Sequence, residues 1–148
     1  MLFRSNGYVK LFLKDGEIDF VASPNLTDTP YVNEEIFGTI VRVETSAEIV
    51  AKKLYHRGNR LLARDMFDFA LVAEKEPKEL LQASKFLVRY AEEIRRVLAG
   101  DLTNLRLQFE QIDTLSYNPT FDHIKEVLLR QLEVSLEFVE GNSNRLKP

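Results

Sequence analysis

The hydrophobic pattern of this chain changes period once, at Thr45, and that change limits what the chain can fold into more than any other feature does. Before it, "YVKLFLK" (8–14), "EIDFVA" (17–22) and "GTIVRVE" (38–44) alternate, or nearly alternate, apolar with polar residues, the period of a half-buried strand. After it, apolar residues return every three or four positions, the period of a helix with one buried stripe. The chain is therefore expected to be α+β, with a small mixed or antiparallel sheet from residues 1–43 and a helical bundle of about five helices over residues 44–140. At 148 residues and 45% hydrophobic content it is long enough to bury one core, so a single domain is expected.

Within the first part, Asp15-Gly16 between alternating runs is the turn dipeptide that most strongly favours a hairpin. The register drawn from that turn sets Leu13 opposite Ile18, Leu11 opposite Phe20 and Phe12 opposite Asp19, which gives one apolar face and turns Asp19 away from the core. "SPNLTDTPYVNEE" (23–35), with its two prolines, reads as a polar loop, and "GTIVRVE" as a third strand.

Thr45 followed by Glu48 is a capping box that starts a helix over Ser46–Arg57, with the glutamate expected to reach back to the cap. Ala47, Val50, Ala51 and Leu54 make its apolar stripe. Lys53 and Arg57 lie on one border of that stripe and Lys52 points away, so Lys53 can reach a cleft edge and Lys52 cannot. A second helix is expected over residues 61–74. Apolar residues take most of its circumference, while Arg64, Asp65 and Asp68 crowd into one arc. An Arg64–Asp68 pair at i,i+4 spacing would account for one acid and leave Asp65 without a partner on a buried helix. Leu80, Ser84, Leu87, Ala91, Ile94 and Leu98 form one further stripe ending at Gly100. A shorter one runs from Leu102 to Ile112, and the last, from Phe121 to Val139, ends at Gly141, leaving residues 141–148 as a frayed tail.

Composition removes several function classes. With no cysteine, disulfides, thiolate nucleophiles and cysteine-held metals are excluded, so a metal would sit on oxygen or histidine ligands. The opening residues are too polar for a signal peptide and no apolar run approaches the ~20 residues that span a bilayer, which points to the cytoplasm and no membrane partner. A net charge of −3 argues against binding nucleic acid over the whole surface. Locally, however, Lys52, Lys53, Arg57, Arg60 and Arg64 form a stretch free of acids, suited either to plain solvation or to a phosphate-bearing ligand. His56 reads as a surface residue and His123 as part of a helix start.

"GEIDFVASP", "VRVETSAEIVAKKLYHRG" and "RLLARDMFDFA", in that order, resemble the latter half of the AbiEii/AbiGii-type nucleotidyltransferase toxins, whose core is polymerase-β-like. The likeness covers residues 11–72, and the later helices match only in kind. It implies Mg²⁺-dependent transfer of a nucleotide from a nucleoside triphosphate to an acceptor such as tRNA, within a toxin–antitoxin or abortive-infection system that includes an antitoxin. By the same likeness Asp19 would be a catalytic, metal-binding carboxylate. Lys53 would bind the triphosphate, with Arg57 and Arg64 assisting, and Asp65 and Asp68 would belong to the last motif of the catalytic site.

No Asp-x-Asp occurs in the sequence, although the first motif of such enzymes is a glycine turn followed by a strand bearing that pair. The expectation is that a second chain supplies the missing carboxylates, or that the protein is a shortened, non-catalytic relative acting as an interaction or oligomerisation module. A small sheet cut from a larger one leaves an open edge and an uncovered apolar face, so at least a dimer is expected in either case.

Overall fold

The computed structural model describes residues 2–5 and 7–145. The α+β expectation is met with two separate antiparallel sheets. Strands β1 (Leu2–Ser5), β2 (Tyr8–Leu13) and β3 (Gly16–Val21) form one, in the order β1-β2-β3; β4 (Tyr31–Ile36) and β5 (Thr39–Glu44) form the other.

The first hairpin forms, but its turn is Lys14-Asp15 rather than Asp15-Gly16, with Leu13 paired to Gly16, Leu11 to Ile18 and Lys10 to Asp19. This register differs from the expected one by an even step, so the same residues share each face. It also brings Lys10 within 2.7 Å of Glu17 and the Tyr8 hydroxyl within 2.8 Å of Asp19, cross-strand contacts that set the charged face in order. All of strand β4 but Ile36 falls inside the stretch read as a loop. All six of its residues are exposed, so its pairing with β5 rather than burial identifies it as a strand.

The core lies entirely in the helices: every buried apolar side chain among the described residues falls between Ala47 and Leu132. Helix α1 spans Ser46–Arg57, as expected, and α2 spans Ala63–Lys75. The single stripe from Leu80 to Leu98 is buried throughout but is carried by several short pieces: α3 (Pro77–Leu80), a 3₁₀ turn (Leu81–Ala83), α4 (Ser84–Arg89) and α5 (Ala91–Ala99). The chain leaves helical geometry at Tyr90, at φ −111° and ψ 16°, between α4 and α5. After α6 (Thr103–Phe109), α7 runs from Phe121 to Arg145. Gly141 does not end it, and residues 141–145, expected as tail, continue the helix; within them the Ser143 hydroxyl donates to the Val139 carbonyl at 2.9 Å. Helix α7 packs along α2, α4 and α5, where Ile124, Leu128 and Leu132 are fully enclosed.

The apolar sheet face does not join that core. Leu13, Ile18 and Phe20 are each about half exposed, so this chain leaves its own hydrophobic sheet surface uncovered.

Candidate functional site

Helices α1 and α2 meet through charge as well as hydrocarbon. The stripe of Val50, Ala51 and Leu54 packs against Met66 and Phe69, which fixes the two helix axes side by side. Lys53 and Arg57, on the border of that stripe, then face the acidic edge of α2. Lys53 Nζ bonds Asp68 Oδ2 and lies 3.7 Å from Asp65 Oδ1; Arg57 Nη2 donates to Asp65 Oδ1 at 2.7 Å. Asp65, read as lacking a partner, therefore has two, both on the other helix.

The Arg64–Asp68 pair does not form. Asp68 turns towards Lys53, and Arg64 stays exposed outside the cluster. The four clustered side chains are partly accessible, from 13% for Asp65 to 43% for Arg57, so they stand at the rim of the core and not beneath it. The recess that Lys53, Arg57 and Asp65 border with Arg60 and Leu61 has a volume of only ≈ 30 Å³, room for a water molecule or two. A polyphosphate would have to lie along its rim, against Lys53 and Arg57.

Lys52 behaves differently from its neighbour, as its position on the wheel requires. It pairs with Glu44 and, at 3.3 Å, with Glu48. Glu48 is the residue whose role the sequence hid. Thr45 Oγ1 accepts from Glu48 N at 3.3 Å, so the cap half of the capping box forms, but the glutamate side chain does not return to it. Fully buried, it accepts from Leu26 N at 3.0 Å, Thr27 N at 2.9 Å and Thr27 Oγ1 at 2.7 Å, tying the connection between the two sheets to α1. Burial pushes its carboxyl up, and the bonds from Thr27, Leu26 and Lys52 together outweigh that and hold it below the ordinary glutamate range. The glutamate three residues after the cap was the available signal, and its donors are Leu26 and Thr27 instead of the cap N–H.

Asp19 lies apart from this cluster. Its partners are Tyr8 and, at 3.3 Å, Lys10, both on its own sheet, and it does not border the Lys53 recess. Among the described residues no group of three or more histidine, aspartate or glutamate side chains converges so as to hold a metal ion. Asp65 and Asp68 are already engaged by cations, so the described residues of this chain do not by themselves fit Mg²⁺. His123 also sits outside the cluster: Nε2 lies 2.5 Å from Glu74 Oε1, which holds the Glu74 carboxyl below its usual range, and its backbone N–H is capped by Thr120 Oγ1 at 3.1 Å. His56 is exposed, edge-on to the Tyr55 ring. No described helix is long and apolar enough to cross a membrane.

Two small sheets are followed by helices, and Lys53, Asp65 and Asp68 come together between α1 and α2 while Asp19 stays apart. The family described as nucleotidyl transferase AbiEii toxin, type IV toxin–antitoxin system, matches residues 11–138, and the chain belongs to that family. The match extends past residue 72 through α3–α6 and most of α7, so the later helices belong to the family likeness as well. No curated protein and no solved structure matches the chain.

Proposed function

We propose that this chain contributes the triphosphate-facing helical part of a nucleotidyltransferase site, with Lys53 as its principal cation. The observation that supports this reading is the position of Lys53: it bridges from α1 to both Asp65 and Asp68 on α2, at a partly exposed rim, and its ammonium is held in place by two carboxylates. To meet a phosphate the ammonium must be shared with, or released by, those carboxylates. Arg57, shared with Asp65, would add a second donor, and Arg64 a third from the outer side of α2. Positioning and charge neutralisation are the means by which such a site acts.

Transfer of a nucleotide from the triphosphate to an acceptor such as tRNA, with Mg²⁺, needs converging carboxylates beyond those gathered here. In this proposal a partner chain in the cytoplasm that carries the first motif brings them to the exposed sheet beside Asp19. Bound Mg²⁺ would supply charge neutralisation at the phosphates. An antitoxin would be the further partner in the cell. A second reading, a non-catalytic interaction module, is favoured by a specific observation: the apolar face of Leu13, Ile18 and Phe20, which this chain leaves open.

Calorimetry with each nucleoside triphosphate, with and without Mg²⁺, tests the first reading. Binding should weaken on Lys53→Ala and persist on Lys52→Ala, whose lysine serves the fold. Equal losses in both variants, or no binding by the native chain at any nucleotide, would overturn it. Light scattering serves the second reading, which requires a species larger than one chain.

A further inference from the structure

Helix α2 has a second working side. Arg64, Phe67, Leu71 and Lys75, spaced at i, i+3, i+7 and i+11, share one side and face the connection between α6 and α7 across an open groove of ≈ 800 Å³. That volume falls in the range of small-molecule sites. The floor is apolar and aromatic: the Phe67 and Tyr117 rings lie 5.2 Å apart, and Ile112 lines the groove beside them. Arg64 stands at one end and Lys75 at the other, about 16 Å along the helix axis.

The charges do not cancel within the groove. Asp68 borders it, but its charge is answered by Lys53 from outside the lining. Asp113, the other acid, accepts from Leu115 N at 3.2 Å and shapes the loop. Among the described residues no acid pairs with Arg64 or Lys75, so the groove carries a positive excess over an apolar floor.

The rim is built against local preference. Leu115 has φ +49° and is 83% exposed, a branched apolar residue in the left-handed region with its side chain held out in solvent. The loop enforces this with its own bonds: Asp113 to Leu115 N, Tyr117 N to the Thr114 carbonyl at 3.0 Å, and Thr114 to Asn118. Glycine or asparagine would relieve the backbone, and nothing in the fold is gained by a leucine there. Phe37 shows the same strain and exposure in a simple turn, so what sets Leu115 apart is its place in the lining of a cationic groove with an aromatic floor, where it can contact a ligand.

We propose that this groove binds a small organic anion bearing a planar ring, an aryl or heteroaryl phosphate in chemical class. Arg64 takes the anionic head, Phe67 and Tyr117 form the floor, and Leu115 closes over the ring. The groove shares Arg64 with the triphosphate reading but is lined by neither Lys53 nor Arg57, and its own ligand does not depend on that reading. Phenyl phosphate is the probe, titrated into the full chain and followed by amide chemical shifts, with inorganic phosphate and benzyl alcohol supplying the head and the ring alone. Saturable shifts are expected over residues 64–75 and 111–117, with each partial probe about tenfold weaker or more. Arg64→Gln should weaken binding by about tenfold. Leu115→Asn should weaken it while raising the thermal unfolding midpoint, a combination that a purely structural leucine would not produce. In Arg57→Gln, a change outside the groove whose partner Asp65 does not line it, the affinity for phenyl phosphate should be unchanged while triphosphate binding at the rim weakens, which separates failure here from failure of the triphosphate site. Shifts that map instead to the two sheets, or an Arg64→Gln variant that binds as tightly as the native chain, would overturn the proposal.

Discussion

Replacing Glu48 tests whether a buried carboxylate, and not hydrophobic packing, fixes the inter-sheet connection to the helical core. The native side chain is inaccessible to solvent and receives the N–H groups of Leu26 and Thr27 and the Thr27 hydroxyl, with Lys52 at 3.3 Å. Glu48→Ala strands two backbone donors and leaves Lys52 to Glu44 alone. Each abandoned buried donor costs about 1–3 kcal/mol. The connection lies near the surface, so it can detach and regain water, which puts the net loss near the low end, about 3 kcal/mol in all. For a chain of this length that lowers the thermal midpoint by roughly 6–12 °C. Urea unfolding followed by circular dichroism, at neutral pH and in acid, measures it. Because the folded-state carboxyl is held below the ordinary value of 4.5, its stabilisation is complete above that pH and is lost as the pH falls towards the folded-state value. The difference between the native chain and Glu48→Gln should therefore shrink in acid. A loss under about 1 kcal/mol for the alanine variant, or a native-to-glutamine difference that is the same at neutral and acid pH, would refute the reasoning.

Other perturbations follow from features with a single physical cause. A Cβ at Gly58 would press into the Tyr90 ring and stand 2.6 Å from the Leu54 carbonyl oxygen, so Gly58→Ala should cost about 1–3 kcal/mol in urea unfolding. Phe37 and Gly38 both have positive φ, 50° and 77°, in the two-residue turn between β4 and β5, and the Phe37 ring is fully exposed. Phe37→Asn should accordingly stabilise the chain by about 1 kcal/mol, read as a higher urea midpoint. Asp68→Asn removes the strongest hold on Lys53, so a triphosphate should bind this variant more tightly if Lys53 is its cation, measured by the same calorimetry.

Local rules read the first helix to the residue, because Thr45, the stripe from Ala47 to Leu54 and Gly58 all agree there. They misplaced the hairpin turn because Asp-Gly is a strong local signal, whereas the register that forms also satisfies Lys10, Glu17, Tyr8 and Asp19 across the strands. Strand β4 was hidden because Asn33, Glu34 and Glu35 break the alternation, and its partner lies close in sequence and not in the core. At the site, the border positions of Lys53 and Arg57 were legible from the helical wheel. Their partners were not, since pairing across two helices depends on the axial offset set by Val50, Met66 and Phe69. For the same reason Asp68 was matched in the sequence with Arg64, four residues away, instead of with Lys53. Asp19 could be placed on its strand and face, but which carboxylates stand near it is a property of tertiary assembly.

Helix α7 has a consequence for how the molecule comes into being. Helices α2, α4 and α5 have no closed interior until Ile124, Leu128 and Leu132 lie against them, and those residues are made after the helices they cover. At ~5–20 residues per second, the stretch from Phe121 to Leu132 takes about 0.6–2.4 s to synthesise. During that interval the nascent chain holds an open hydrophobic trough, and its cation–carboxylate rim has no rigid backing. A ribosome that stops before this segment releases a polypeptide with α1 and α2 but no means of fixing them, so premature termination should yield a substrate for proteolysis rather than a partly working protein.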